Sequence, residues 1–248
     1  MNHRHEQILN IINREKDISV NRLSDLLNVS LVTIRSDLRF LEDKKLIVRT
    51  HGGASLPSTD DISHRLSINY SVKQKIAHAA ADLVEEGDTI LLEAGSTVAL
   101  MAQILSVRKN INVITNNAFV ARQFKNSEGV NVILMGGIFQ KQSETMVGSM
   151  VREYLSFYNF TKVFMGIDGF TMENGAMCRD LDRSEVMSEF VRKGKEVFIL
   201  TDSVKMGQSA VRTICSPDEI NCVITDNEVD AEYEKFFQEK GIKLITVS

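Results

Sequence analysis

Seven short apolar runs rich in β-branched residues constrain what this 248-residue chain can fold into. They fall at residues 89–92, 112–114, 130–134, 162–165, 196–200, 222–224 and 243–247. Helix-length amphipathic stretches, such as residues 74–84 and 98–105, separate most of them. Continuous runs of this kind bury both sides of a strand, and long crossovers between them allow neighbouring strands to run parallel. Residues 73–248 therefore read as an α/β domain built on a largely parallel sheet covered on both faces.

The first fifty residues follow a different period. Ile8, Leu9 and Ile12 share one helical face. Ser19 is placed to cap a helix carrying Leu23, Leu26 and Leu27. Asn28 suits a helix C-terminus and Ser30 the next N-cap, followed by a stripe of Leu31, Ile34, Leu38 and Leu41. Residues 46–49 are strand-like and run into a His51-Gly52-Gly53 turn. Helix, helix, short turn, helix and a Gly-tipped strand pair make a winged helix-turn-helix over residues 1–56, with Leu23, Leu27, Ile34 and Leu38 in its core. Residues 57–72, with Pro57 and a cluster of turn formers, read as a linker.

Composition narrows the classes. With 43% hydrophobic and 25% charged residues, the chain is neither disordered nor low-complexity. Three cysteines cannot form a paired framework and none sits in a CxxC spacing, which points to reduced thiols and no zinc. The N-terminus has no apolar signal core, and the uncharged stretch 94–107 is too short and polar to span a bilayer. A cytoplasmic protein without membrane attachment, metal or cofactor is expected. The net charge of −4 hides an asymmetry, since residues 1–56 carry nine Lys/Arg against seven acids and the remainder carries −6. A mildly basic head on an acidic body suits a DNA-reading module attached to something else.

On the third helix, Ser30, Thr33, Arg35, Ser36 and Arg39 are left over once the core is assigned. Arg takes a guanine edge bidentately, while Ser and Thr suit phosphate oxygens or base edges. A merely solvated helix face would look the same. Asp37 is expected to orient a neighbour by ion pairing, because phosphate repels a carboxylate. The run Ser30-Leu31-Val32-Thr33-Ile34-Arg35-Ser36-Asp37-Leu38, then Leu41-Glu42, then Arg49-Thr50-His51-Gly52-Gly53-Ala54, closely resembles the DeoR family of bacterial transcription regulators. That resemblance implies operator double-stranded DNA as a partner, read by Ser30, Thr33, Arg35, Ser36 and Arg39. It also places Arg49 and His51 at the wing, touching the backbone or minor groove, although His51 could equally just pack beside the glycine turn. Lys45 departs from the family's usual glycine.

In the body, polar residues follow each strand: Glu93-Ala94-Gly95-Ser96-Thr97, Thr115-Asn116-Asn117, Gly136-Gly137, Gly166-Ile167-Asp168-Gly169, Thr201-Asp202-Ser203-Val204-Lys205 and Thr225-Asp226. In a parallel sheet these ends share one edge, where α/β folds bind ligands. Small, hydroxylated, amide and carboxylate groups there suit a polyhydroxylated molecule, and a helix opening at Gly95-Ser96-Thr97 suits a phosphate. The resemblance extends over this half. The DeoR effector domain is similar to ribose-5-phosphate isomerase and senses phosphorylated sugars or related metabolites. It implies effector contacts from Gly95, Ser96, Thr97, Asn116, Gly136, Gly137, Asp168 and Lys205. Two departures stand out: Glu93-Ala94 replaces the usual Asp-Ser, and Arg179 and Arg183, four apart, appear where smaller or neutral residues are expected. Arg179 is counted with the effector site, as the two arginines could clamp a phosphate; they could also be solvated or paired with Asp180 and Asp182.

His3, His5, His64 and His78 share no spacing and are taken as surface residues; Cys178, without a paired His, is a poor nucleophile. The resulting expectation is a regulator, most simply a repressor of a carbohydrate-utilisation operon, released from its operator by a phosphorylated sugar or related metabolite. It would work as a homo-oligomer, dimer or tetramer, because useful discrimination needs two half-sites. The alternative is an isomerase-like sugar-phosphate enzyme with an accessory DNA-binding head, since Asp168, Lys205 and Glu185 supply acid–base groups.

Overall fold

The structure is a computed structural model that describes residues 3–15, 17–44, 46–55 and 62–248. Lys45 and Pro57 lie outside the described residues. The chain divides into two compact units, Met1–Ser71 and Val72–Ser248.

The first unit runs α1 (His3–Glu15), β1 (Asp17–Ser19), α2 (Val20–Leu27), α3 (Leu31–Asp43), β2 (Val48–Thr50), β3 (Gly53–Ser55) and α4 (Ile62–Ser67). Ser19 caps α2 by accepting the Arg22 N–H, Asn28 ends it in the left-handed region at φ 51°, and Ser30 caps α3. Ile8, Leu9, Ile12, Leu23, Ile34, Leu38 and Leu41 form the core. The expected stripe is trimmed at its edges: Leu31 is 38% and Leu26 42% exposed, and Leu27 is half-buried. Leu31 opens the first turn of α3, which stands clear of the residues that bury the next two turns. Part of the expected linker is helical, namely α4 and the residues from Tyr70 onward.

The wing contains a strand that periodicity did not reveal. β1 pairs antiparallel with β3, which pairs with β2, so the order is β1-β3-β2. Three residues are too few to show alternation. Gly53 is required by this third strand, because a Cβ there would collide with the carbonyl of Ile18.

In the second unit all seven apolar runs become strands of one parallel sheet. The elements are α5 (Tyr70–Ala81), β4 (Thr89–Leu92), α6 (Ser96–Leu105), β5 (Ile111–Thr115), α7 (Ala118–Arg122), β6 (Val130–Leu134), β7 (Ile138–Gln140), β8 (Thr145–Val147) and α8 (Ser149–Leu155). They continue with β9 (Lys162–Gly166), β10 (Gly169–Thr171), β11 (Gly175–Cys178), α9 (Leu181–Lys193), β12 (Glu196–Leu200), β13 (Arg212–Cys215), β14 (Cys222–Asp226), α10 (Ala231–Glu239) and β15 (Lys243–Val247). The sheet order is β15-β14-β12-β9-β4-β5-β6. Successive residues Ile90, Leu91 and Leu92, and Val113 and Ile114, are all buried, so both faces are covered. A β7–β8 hairpin and a small antiparallel sheet, β10-β11-β13, lie outside this sheet.

The order fixes where a site can form. From β4 the chain steps to β5 and β6 on one side, then returns with β9 to the other side and continues to β12, β14 and β15. The direction of winding reverses between β4 and β9, the arrangement that in α/β sheets opens a crevice at the carboxyl ends of the two strands.

Candidate functional site

In the head, Arg35, Ser36 and Arg39 are exposed on α3, and His51 is exposed at the wing turn. Ser30 and Thr33 are partly occupied: the Ser30 hydroxyl accepts the Thr33 N–H at 3.1 Å and shares a 2.8 Å hydrogen bond with the Thr33 hydroxyl. Their first task is to start the helix, which limits what they can offer a nucleic acid. Arg49 is half-buried, and its Nε is sealed without a hydrogen-bond partner.

Asp37 faces inward, as an orienting residue should. Arg4 Nε donates to its Oδ2 at 2.6 Å and Arg4 Nη2 to its Oδ1 at 3.0 Å, while His5 Nε2 lies 3.1 Å from Oδ1. Burial pushes the Asp37 carboxyl up, but hydrogen bonds from Arg4 and His5 outweigh it and hold the group below the usual carboxylate range. The expectation of a surface His5 is corrected: its ring stacks on Phe40 with centroids 4.5 Å apart. His64 is also buried. The contacts of Arg4 and His5 with Asp37 and Phe40 join α1 to α3, a pairing that sequence spacing gives no sign of.

At the sheet edge, the crevice between β4 and β9 gathers part of the expected set. Gly95 sits at φ 139°, ψ 153°, a backbone that only glycine adopts readily, and starts α6 without any side-chain cap. The first amides of a helix have no partners inside it, so the buried Ser96 and Thr97 begin α6 with donors to spare. Gly95 lies against Gly166 at the end of β9. Two residues beyond Gly166, Asp168 accepts the Arg179 backbone N–H at 3.0 Å. Lys205, in the short 3-10 turn after β12, donates to the Ile167 carbonyl at 2.8 Å and lies 4.0 Å from Asp202. Gly95, Ser96, Thr97, Asp168 and Lys205 thus converge on the ends of β4, β9 and β12.

The remaining candidates also make contacts within the fold. Asn116 Nδ2 donates to the Met146 carbonyl at 2.9 Å, tying the end of β5 to β8, and its Oδ1 is buried without a partner. Asn117 fastens the same hairpin through the Ser143 carbonyl and the Thr145 hydroxyl, both at 2.8 Å. A Cβ on Gly137 would come within 2.7 Å of the Val147 carbonyl, so packing holds that position to glycine, whereas one on Gly136 would make only ordinary contact with the Tyr154 ring at 3.5 Å.

The two arginines separate. Helix α9 starts at Leu181, with Asp180 as N-cap accepting the Arg183 N–H at 2.8 Å. Arg179 therefore precedes the helix, its four-residue spacing to Arg183 has no helical meaning, and it is exposed. Arg183 is drawn in, with its side chain only 14% exposed. Burial works against its charge, but the Cys178, Glu93, Asp168 and Asp180 side chains outweigh that and raise its pKa. Glu93 is itself buried. The Cys178 thiol beside them is pushed up to about 12 by burial and by Asp168, so it stays protonated and unreactive. Among the described residues, no three His, Cys, Asp or Glu side chains gather as metal ligands, and no helix is long and apolar enough to cross a membrane.

Comparison with known proteins supplies the context. Residues 4–60 match the DeoR-like helix-turn-helix domain and residues 68–227 the DeoR C terminal sensor domain. A putative aga operon transcriptional repressor of Escherichia coli O157:H7 is 29% identical over 98% of this chain and 93% of its own. The HTH-type transcriptional regulator GolR of Listeria innocua is 32% identical over 96% of both, and the HTH-type transcriptional repressor GlcR of Bacillus subtilis is 31% identical over 96% of this chain and 93% of its own. Among solved structures, ribose 5-phosphate isomerase A of Methanocaldococcus jannaschii aligns over 56% of this chain and 55% of its own, with 19% identity and a TM-score of 0.43.

Proposed function

The chain belongs to the DeoR family of DNA-binding transcriptional regulators, and from that premise we propose that it represses a carbohydrate-utilisation operon and leaves its operator when a phosphorylated sugar binds the β4–β9 crevice. Its relatives are transcriptional regulators, including repressors named for an aga operon and a lactose phosphotransferase system, and not enzymes. Of the acid–base groups that suggested an isomerase, Glu185 is taken up by ion pairs, 3.2 Å from Arg152 and 3.3 Å from Arg212.

The observation that carries the sensing role is the uncapped, buried start of α6 at the reversal of strand order. Its backbone amides and dipole favour an oxyanion. Around it, Asp168 and Lys205 supply an acceptor and a donor suited to sugar hydroxyls. Arg35, Ser36 and Arg39 would read the major groove, with Arg49 and His51 at the wing. Ser30 and Thr33 would contribute to phosphate contacts while capping α3. A cytoplasmic dimer or tetramer would present two heads to a two-fold operator. Effector binding would change how the heads are held and so release the DNA.

The test mixes the protein, labelled DNA from upstream of its own gene and of neighbouring transcription units, and a panel of sugar phosphates, while NMR follows each metabolite. Release of DNA with the metabolite unchanged is the expected result. Steady conversion of the metabolite by the wild-type protein would overturn the regulator reading in favour of an enzyme.

A further inference from the structure

Val32 is the most exposed large apolar side chain among the described residues of the head, at 74%, and it stands in the first turn of α3. Local helix physics gives no reason for it. A β-branched residue is a poor helix former where packing does not hold it. The helix dipole favours acids in a first turn, and this turn has none.

Its place on the helix does give a reason. Ile34, Leu38 and Leu41 are fully buried and mark the face of α3 that packs on the core of the head. Val32, Ser36 and Arg39 repeat that spacing of four and three, each two residues earlier. Two residues turn a helix by about 200°, so this second stripe points directly away from the core. All three of its members are exposed, as is Arg35, one turn on from Val32. Ser30 and Thr33, the hydroxyl residues on either side, are bonded to each other in the helix cap. Val32 is therefore the N-terminal member of the outward stripe, and in a helix-turn-helix the N-terminal residues of the reading helix are those that reach base edges.

Two kinds of partner could cover this valine. An apolar protein surface laid on the stripe would also cover Arg35, Ser36 and Arg39, and would strip water from two guanidiniums without offering them acceptors. A duplex carries no such cost, because phosphates and base edges supply the acceptors. Among the groups that base pairs present in the major groove, one alone is apolar, the 5-methyl of thymine. We infer that Val32 is a specificity-determining residue that packs on the 5-methyl group of a thymine in each half-site. The inference rests on the reading of α3 as the helix that enters the major groove. Arg35 and Arg39 supply charge and hydrogen bonds there, and Val32 adds a requirement that no hydrogen bond expresses.

Duplexes that the full chain selects from a random-sequence pool supply the probe. In the selected operator each thymine is replaced in turn by deoxyuridine, which pairs in the same way and lacks only the methyl group. Anisotropy titrations should find a position in each half-site where the replacement weakens wild-type binding about fourfold, the effect of one buried carbon, and about fifteenfold when both half-sites are replaced. In Val32→Ser, binding to the thymine operator should fall by a similar factor, and the difference between thymine and deoxyuridine at that position should vanish. Thermal melting of this variant should stay close to that of wild type, because the side chain it alters is exposed. Arg39→Ala should bind the operator more weakly yet keep the sensitivity to the methyl group. An operator in which no thymine methyl matters, or a sensitivity that survives Val32→Ser, would overturn the role of Val32; the reading of α3 would then still stand if Arg35→Ala and Arg39→Ala weaken operator binding. Unchanged operator affinity in both arginine variants would defeat the reading of α3, and a pool in which no sequence is enriched would defeat sequence recognition itself. The inference falls with either.

Discussion

The two units carry their candidate sites in opposite ways. In the head, Arg35, Ser36 and Arg39 lie within five residues of one another on one helix and face solvent. In the body, Glu93, Ser96, Thr97, Asp168, Arg183 and Lys205 come from strand ends, helix starts and a short turn spread over more than a hundred residues, and three of them are buried. Reading a duplex needs a protruding, solvated surface, so its residues can be local and need little support. Holding a small ligand needs a concave, drier place, so its residues must come from several elements, and each buried polar group needs a partner. The difference predicts that substitutions in the head act on DNA alone, while those in the body act on the effector response.

The largest expected effect tests the local half of that contrast. Arg35→Ala should cost about 1–3 kcal/mol at each half-site, doubled where two heads read one operator, and should relax sequence preference. Anisotropy titrations on operator and scrambled DNA measure this. Unchanged operator affinity would show that α3 is not the reading helix.

Next comes the non-local half. Lys205→Ala should weaken effector binding about ten- to a hundredfold, the equivalent of about 1.5–3 kcal/mol for a charge-assisted hydrogen bond, with DNA affinity unchanged. The phenotype is a repressor that still binds but no longer lets go. Loss of DNA affinity in this variant would break the separation between the units.

Asp37→Asn sharpens the comparison from the side of stability. It removes the charge to which Arg4 and His5 are bound, and should lower the head's melting temperature by several degrees at neutral pH. The sign with pH follows from the depressed pKa. The stabilisation is present above the unfolded carboxyl value of about 3.9 and is lost as pH falls through the lower folded value. Melting curves of wild type and variant should therefore stay apart above about pH 4 and converge below it. A gap that persists unchanged into strong acid would show that the carboxylate is not its source.

The smallest effect belongs to the wing. Arg49→Ala should weaken binding to all duplexes alike and reduce the slope of log affinity against log salt by about one. A loss confined to operator DNA would instead make Arg49 a base reader.

Much of the architecture was legible in the chain because it rests on local physics. Ser19, Asn28 and Ser30 mark helix ends through short-range hydrogen bonds and a left-handed φ, and each does so in the structure. The seven apolar runs are the seven parallel strands, because a strand buried on both faces cannot alternate. What escaped was set by contacts between distant segments. Three-residue β1 forms only because β3 lies beside it, and Gly53 answers to that neighbour rather than to its own turn. Asn116 and Gly137 look like ligand residues by type, and distant segments engage them as well: Asn116 holds the Met146 carbonyl of β8, and a side chain on Gly137 would meet the Val147 carbonyl.

The sequence by itself determined the two periods, the helix caps, the strands and the polar character of their ends, all properties of residues within a few positions of one another. Only the tertiary structure decided the strand order, and with it which of those polar ends lie at the reversal between β4 and β9. It also decided between two arginines four residues apart. The helix begins between them, at Leu181, so Arg179 is left in solvent while the Arg183 side chain is drawn in to 14% exposure. Burial and charge depend on what the rest of the chain brings near, and no pattern of neighbouring residues carries that information.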